Sequence, residues 1–375
     1  MAGLYSYKNG IIFYDYPANI HLFKKNDYIA TSNVCGPMTK IWQKNAAYTL
    51  LRPYIDWCTR TSFSYLEVSG KENIPTDGAV ILAPNHCNTL MDALLVLQAD
   101  RGPSGYGARA DMFRKPMMAS ALRWLRILPL ARQRDGREAV SSNEAVFDEV
   151  VECLDHDVPF CIFSEGTHRT KHSLMPLKKG IWRIATRAAE RLDKPVYIVP
   201  VGLDYDDYFR YMKHARVSFG EPIRVYPDTD RAELLQTLHD RIASLITYFP
   251  DDENYEIAYE RWVKEHTPKY NTAQKIGRAI LAILSIPFFL LFGVLCAPMW
   301  IVSWVLSTKV KDHAWMNSLR MVTKVVFLPI MTLAVGIPAF IFLKWYWAVL
   351  LLIAVLASHS GFYYLQEFYR SIIHK

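Results

Sequence analysis

The stretch Ala79-Val-Ile-Leu-Ala-Pro84-Asn85-His86-Cys87-Asn88-Thr89-Leu90-Met91-Asp92 decides how this chain is expected to fold. An apolar run ends at Pro84, polar residues follow, and an apolar helical pattern opens at Leu90. A strand that feeds a helix through a short turn is a frequent seat for reactive side chains. A histidine there can act as a general base near neutral pH, and a carboxylate on its other ring nitrogen fixes the tautomer and stabilises the imidazolium. On one ideal helix His86 and Asp92 would stand about 240° apart. The spacing therefore predicts His86 on the loop, with Asp92 reaching it from the first helical turn. Taken alone, the residues also fit a histidine at a helix start beside a solvated Asp92.

Outward from this stretch, short β-like runs alternate with helical stretches: Tyr65 to Val68, Ala79 to Ala83, Phe160 to Phe163, Tyr197 to Val201 and Arg216 to Phe219. That alternation predicts an α/β domain with a mixed, partly parallel sheet flanked by helices. A helix from Arg231 to Tyr248 closes it, and a charged, largely helical linker follows from Asp251 to Thr272. Ahead of the domain, Thr39 to Arg52 has helical apolar spacing until Pro53 interrupts. Such a helix lies on a membrane surface or packs against the domain. Residues 1–37 are aromatic-rich and aperiodic, as in a loose extension or upstream sequence ahead of a start at Met38.

The 375 residues are 51% hydrophobic, but unevenly so. Ala279 to Thr308, Val325 to Leu343 and Trp345 to Tyr364 are free of charge. At about 1.5 Å per residue the first would make a helix of about 45 Å, longer than a hydrocarbon core of about 30 Å. Pro287, Gly293 and Pro298 punctuate it. Basic residues flank the stretches at Arg278, at Lys309, Lys311, Arg320 and Lys324, and at Arg370 and Lys375. Placing all of them on the cytoplasmic side requires the first stretch to be a broken re-entrant hairpin and the other two a spanning one. The expected organisation is an extension (1–37), an amphipathic helical segment (38–60), a catalytic domain (61–250), a helical linker (251–278) and C-terminal transmembrane helices (279–375), with the catalytic domain on the cytoplasmic face.

A formal charge of +7, scattered rather than striped, argues against nucleic acid and suits anionic headgroups or phosphate-bearing substrates. The six cysteines, Cys35, Cys58, Cys87, Cys153, Cys161 and Cys296, form neither a zinc pattern nor a disulfide framework. With no secretory signal pattern at the start, the domain is expected inside the cell.

Two further clusters follow apolar runs. In Ser164-Glu165-Gly166-Thr167-His168-Arg169, Gly166 allows close backbone approach and the polar residues offer donors suited to a phosphate, although a solvated turn has the same composition. Arg132 follows Ile127-Leu-Pro-Leu-Ala and offers a planar fork for phosphate oxygens, with Arg109, Arg114 and Lys115 adding to the field or simply solvated. Asp204, Asp206 and Asp207 imitate a cation-binding run but lack its glycine turn and distal glutamate.

Together these motifs resemble the phospholipid and glycerol acyltransferase family, which includes glycerol-3-phosphate and lysophosphatidate acyltransferases. Asn85-His86 with Asp92, then Arg132, then Glu165-Gly166-Thr167, then Ile198-Val199-Pro200-Val201-Gly202 stand in that family's order over about residues 60–220. The resemblance implies His86 as the base that deprotonates an acceptor hydroxyl and Asp92 as its orienter. It implies Arg132, Glu165, Gly166 and Thr167 on the acceptor phosphate and Pro200 on the acyl side. It further implies no metal and no cofactor, with acyl-CoA or acyl carrier protein as co-substrate, a phosphate-bearing glycerolipid acceptor, and the lipid bilayer as partner. The alternatives are the same chemistry on a non-phosphate acceptor, such as an amino-acid-linked lipid, or a non-catalytic lipid-binding membrane protein. The sequence departs from the pattern with five residues between His86 and Asp92 instead of four, with Ser164 in place of proline, and with His168 between Thr167 and Arg169. These departures resemble a fungal glycerol-3-phosphate acyltransferase branch.

Overall fold

The computed structural model describes residues 7–8, 11–12, 40–100, 102, 104–132, 141 and 143–373. Apart from a short pairing of Tyr7–Lys8 with Ile11–Ile12, the expected extension 1–37 lies outside the described residues. Eight strands form one sheet: β1 (Tyr65–Ser69), β2 (Ala79–Pro84), β3 (Gly105–Arg109), β4 (Ile127–Leu130), β5 (Phe160–Cys161), β6 (Val196–Tyr205), β7 (His214–Phe219) and β8 (Ile223–Val225). Their order is β1-β7-β6-β2-β5-β3-β4, with β8 pairing β6. Strands β6, β2, β5, β3 and β4 run parallel, whereas β7 and β8 are antiparallel to β6 and β1 is parallel to β7. The sheet is thus mixed, as the alternation predicted.

Among the described residues, seven α-helices belong with this sheet: α1 (Ala46–Arg60), α2 (Leu90–Asp100), α3 (Pro116–Trp124), α4 (Asn143–Asp155), α5 (Gly180–Arg191), α6 (Arg231–Leu245) and α7 (Tyr255–His266). Every residue of β2 is buried, as expected of a central parallel strand covered on both faces. Its alternate side chains divide between two cores. Ala79, Ile81 and Ala83 meet Val146, Phe147 and Val150 of α4, Ile181 and Ile184 of α5, and Leu234 and Leu238 of α6. Val80 and Leu82 meet Leu95, Val96 and Ala99 of α2. A proline inside a sheet needs a place where no N–H is called for. Pro200 has one: β6 pairs β8 at Val196 to Ile198 and β7 from Val201 onward, so Pro200 sits where the partner on that edge changes.

Two sequence expectations change. Residues 40–45 are not helical, and α1 starts only after Asn45, whose side chain accepts from Tyr48 N at 3.2 Å. The helix then passes through Pro53, which costs one backbone bond without ending it.

Three further helices, α8 (Thr272–Ser307), α9 (Met316–Phe342) and α10 (Trp345–Ile373), are long and apolar enough to cross a membrane. Their outward faces carry Leu281, Leu284, Phe288, Ile330, Ile337 and Leu350 exposed, a pattern suited to a lipid surround. The expected break in the first segment is a bend: α8 stays helical through Pro287 and Pro298 but doubles back, with Leu291 beside Leu343 and Trp347 near the far turn and Met299 returning beside Leu328 and Val355. Its two ends therefore lie on the same side of the bundle. Near the start, Arg278 donates to Ser371 Oγ at the end of α10 (2.6 Å). Beyond the end, Asp312 reaches into the α/β domain at His168. Close approach inside the bundle depends on Gly361, where a Cβ would fall 2.5 Å from the Phe292 ring.

The bundle and the α/β domain share polar contacts. Lys324 of α9 is fully buried and donates to Cys58 O (3.1 Å), Thr61 Oγ1 (2.7 Å) and Ser360 Oγ (3.1 Å), capping the end of α1. Asn317 Nδ2 donates to Tyr208 O at 2.8 Å, and Tyr54 OH donates to Val325 O at 3.0 Å.

Candidate active site

Because β2, β5, β3, β4 and β6 are parallel, their C-terminal ends share one edge, the place where open α/β sheets collect reactive groups. His86 follows β2, the 164–167 turn follows β5, Arg132 follows β4, and Tyr205 ends β6.

The His86 loop is organised around Asp92, whose side chain is 0% exposed. A buried carboxylate must be fully hydrogen-bonded. Oδ2 accepts from His86 Nδ1 (2.8 Å), Cys87 N (2.8 Å) and Asn88 N (2.7 Å), and Oδ1 accepts from Tyr205 OH (2.7 Å). Asp92 therefore shapes the loop as well as orienting the ring. With Nδ1 occupied, Nε2 is the imidazole nitrogen left for a substrate. Phe163 lies against the ring at 4.3 Å between centroids. Asn85 closes the loop from behind, donating to Leu203 O (2.9 Å) and accepting from Leu203 N (2.7 Å).

The stretch between His86 and Asp92 contains a strained position. Thr89 has φ +49°, which a β-branched residue rarely adopts, at a cost of about 1–3 kcal/mol. It is held there from the membrane side, with Thr89 Oγ1 2.7 Å from Ser318 Oγ of α9.

Glu165 is 2% exposed. Its oxygens accept from His86 N (2.7 Å) and Met175 N (2.8 Å), so it braces the His86 loop and does not face a phosphate. Burial pushes its carboxyl above the usual range, and the two N–H bonds oppose that shift only in part. Gly166 takes φ +71°, which turns Thr167 and His168 outward; both are half-buried. Arg169 N donates to His86 O at 3.0 Å, joining the two loops. Arg132 lies on the same edge three strands from β2, about 14 Å at ordinary strand spacing, and its charge acts on Asp111. Pro200 is buried within β6 beside Ala83 and against Gly220, one residue before Val201, whose carbonyl accepts from Asn85 N (3.4 Å) at the start of the His86 loop.

The acidic run disperses. Asp204 accepts from Thr247 Oγ1 (2.8 Å) and Asp207 from Phe209 N (2.8 Å), while Asp206 faces His214 at 3.5 Å. Among the described residues no three His, Cys, Asp or Glu side chains gather to hold a metal ion. Burial and the neighbouring Asp92 charge push the Cys87 thiol well above its usual range, so the cysteine beside His86 supplies no thiolate. Sequence reasoning missed Tyr205, which no spacing rule ties to Asp92, and Asp312, which belongs to a different part of the chain.

Residues 65–204, the stretch that carries the sheet from β1 to β6 and the His86–Asp92 pair, match the Acyltransferase family. The chain is 31% identical over 121 residues to glycerol-3-phosphate O-acyltransferase 1 of Saccharomyces cerevisiae, across 29% of this chain and 16% of that protein. It is 27% identical over 191 residues to human 1-acyl-sn-glycerol-3-phosphate acyltransferase alpha, across 49% of this chain and 63% of that protein. The matched region thus spans less than two thirds of either relative. Among solved structures, the 1-acyl-sn-glycerophosphate (LPA) acyltransferase PlsC from Thermotoga maritima aligns over 60% of this chain and 83% of its own, with 22% identity and a TM-score of 0.40.

Proposed function

We propose that this protein is a membrane-bound O-acyltransferase that moves a fatty acyl group from an acyl thioester, acyl-CoA or acyl carrier protein, to glycerol 3-phosphate or 1-acylglycerol 3-phosphate. The observation that carries this reading is the His86–Asp92 pair at 2.8 Å with Nε2 left open. His86 Nε2 takes the proton of the acceptor hydroxyl as its oxygen attacks the thioester carbonyl. The tetrahedral intermediate then expels the thiolate, which recovers the proton from the imidazolium. Asp92 holds the ring and stabilises that imidazolium. A thioester needs little further activation, so a positioned base and an oriented acceptor supply most of the chemistry.

The match to the acyltransferase family and the glycerol-phosphate names of the relatives support the acceptor class. The same-side ends of α8, with Arg278, Lys309, Lys311 and Arg320 near the domain, support a catalytic face turned to the cytoplasm. The test is acyl transfer in membranes carrying the full chain, given labelled acyl-CoA and a panel of glycerol-phosphate acceptors. His86→Ala is expected to lose about 10²–10⁴-fold in kcat. Full activity in that variant would overturn the mechanism.

A further inference from the structure

The opening turns of α9 bury one face in the α/β domain before the helix goes on to its lipid-suited length. Asn317, Ser318, Met321 and Lys324, which share that face at helical spacing, are all 5% exposed or less. Lys324 caps the end of α1, and Met321 packs in one cluster with Met91 of α2 and Cys58 of α1. Asn317 and Arg320 hold the turn after β6, donating to Tyr208 O (2.8 Å) and Phe209 O (3.0 Å). Ser318 holds the turn after β2, through Thr89.

Thr89 is the joint between the two halves of the site. His86, Cys87 and Asn88 lie before it, and all three donate to a carboxylate, Asp92, that lies after it on α2. The φ angle of Thr89 therefore sets how the loop faces Asp92. A threonine just ahead of a helix ordinarily takes an extended backbone and turns its hydroxyl onto the helix's own first N–H groups. Thr89 instead has φ +49° and turns its hydroxyl to α9 and the residues ahead of it, donating to Ala314 O (3.3 Å) with Ser318 Oγ at 2.7 Å. A hydroxyl has one proton to give; with that of Thr89 on Ala314 O, Ser318 is the donor to Thr89. All three residues are 4% exposed or less, so water does not stand in for this bond.

We propose that Ser318 is a positioning residue for the His86–Asp92 pair: by holding Thr89 in its left-handed conformation, the membrane helix α9 keeps the His86 loop turned to Asp92, and base catalysis depends on α9 being docked. This rests on the acyl-transfer reading of His86. Ser318 acts through Thr89 and not on a substrate. Released from α9, a β-branched residue at this φ returns to the extended region. The Cys87 and Asn88 N–H groups then swing off Asp92, and the imidazole loses the orientation that leaves Nε2 toward the acceptor. The bundle thereby anchors the domain and also sets the angle of its catalytic base.

The test uses the full chain in nanodiscs, with kcat and KM for acyl-CoA and for glycerol 3-phosphate or its 1-acyl derivative measured in Ser318→Ala, Ser318→Ala/Thr89→Gly and Tyr54→Phe. Ser318→Ala is expected to lower kcat by about tenfold, the worth of one buried hydrogen bond, with each KM within about threefold. Glycine takes positive φ without a tether, so the double variant should recover to within about threefold of the parent although it lacks the bond too. Tyr54→Phe removes another bond between domain and bundle, to Val325 O, away from the loop; its kcat should stay within about twofold. An unchanged kcat in Ser318→Ala, no recovery in the double variant, or an equal loss in Tyr54→Phe would overturn the proposal. The proton that His86 Nδ1 shares with Asp92 is followed in parallel by NMR of isotope-labelled histidine, assigned by its loss in His86→Ala. It should shift in Ser318→Ala and return in the double variant; a signal identical with that of the parent in Ser318→Ala would also overturn the proposal. This signal is read without turnover. Should the parent itself move no acyl group, the acyl-transfer reading falls, and the signal still decides whether Ser318 sets the His86 ring.

Discussion

Glu165 looks like a functional acid and behaves as a brace. Because burial raises its carboxyl above the usual range, the folded state holds its proton more tightly than the unfolded chain. Its contribution therefore favours folding at low pH and declines as pH rises from the unfolded value of about 4.5 through the folded one. Glu165→Gln should flatten that part of the stability profile. At neutral pH the glutamine oxygen serves one of the two backbone donors and leaves the other facing an amide NH2, at a cost of about 1–3 kcal/mol. Thermal unfolding of the detergent-solubilised protein from pH 4 to 8 checks both effects; an unchanged slope would remove Glu165 as the titrating group. His86 and Asp92 were legible because the turn between an apolar strand and a helix is a local pattern. The role of Glu165 was not, because a motif shows which residue is present and not which backbone donors surround it.

At the scale of elements, continuous apolar runs such as Ala79 to Ala83 were readable as strands, since burial on both faces demands them. Strand β3 (Gly-Tyr-Gly-Ala-Arg) and strand β4 (Ile-Leu-Pro-Leu) were not read as strands, because glycine and proline mask a strand whose packing is supplied by neighbours. The same tertiary override carries α1 through Pro53, helped at its far end by Lys324 on the Cys58 carbonyl. Lys324→Met keeps the length and removes three donors. It should lower stability by about 1–3 kcal/mol through the acceptors left unpaired, measured as an earlier thermal transition. A transition at or above that of the parent would show that the cap contributes nothing.

At the scale of the molecule, sequence patterning located three apolar stretches and anticipated that the first would return to its starting side. It did not anticipate an unbroken helix, because prolines inside lipid bend a helix more readily than they end it. The pairing of His168 with Asp312 across 144 positions lay beyond any local pattern. On the proposed orientation, Lys309→Cys in an otherwise cysteine-free background should react with an impermeant maleimide only after the membrane is opened; labelling in sealed cells would reverse the assignment. On this topology the short turn at Leu343 and Lys344 is the part of the described bundle that reaches the far side. Of the described bundle, a protease, glycosylating enzyme or antibody confined to that compartment would meet little more than this turn, so its recognition and turnover would be conducted from the side of the α/β domain.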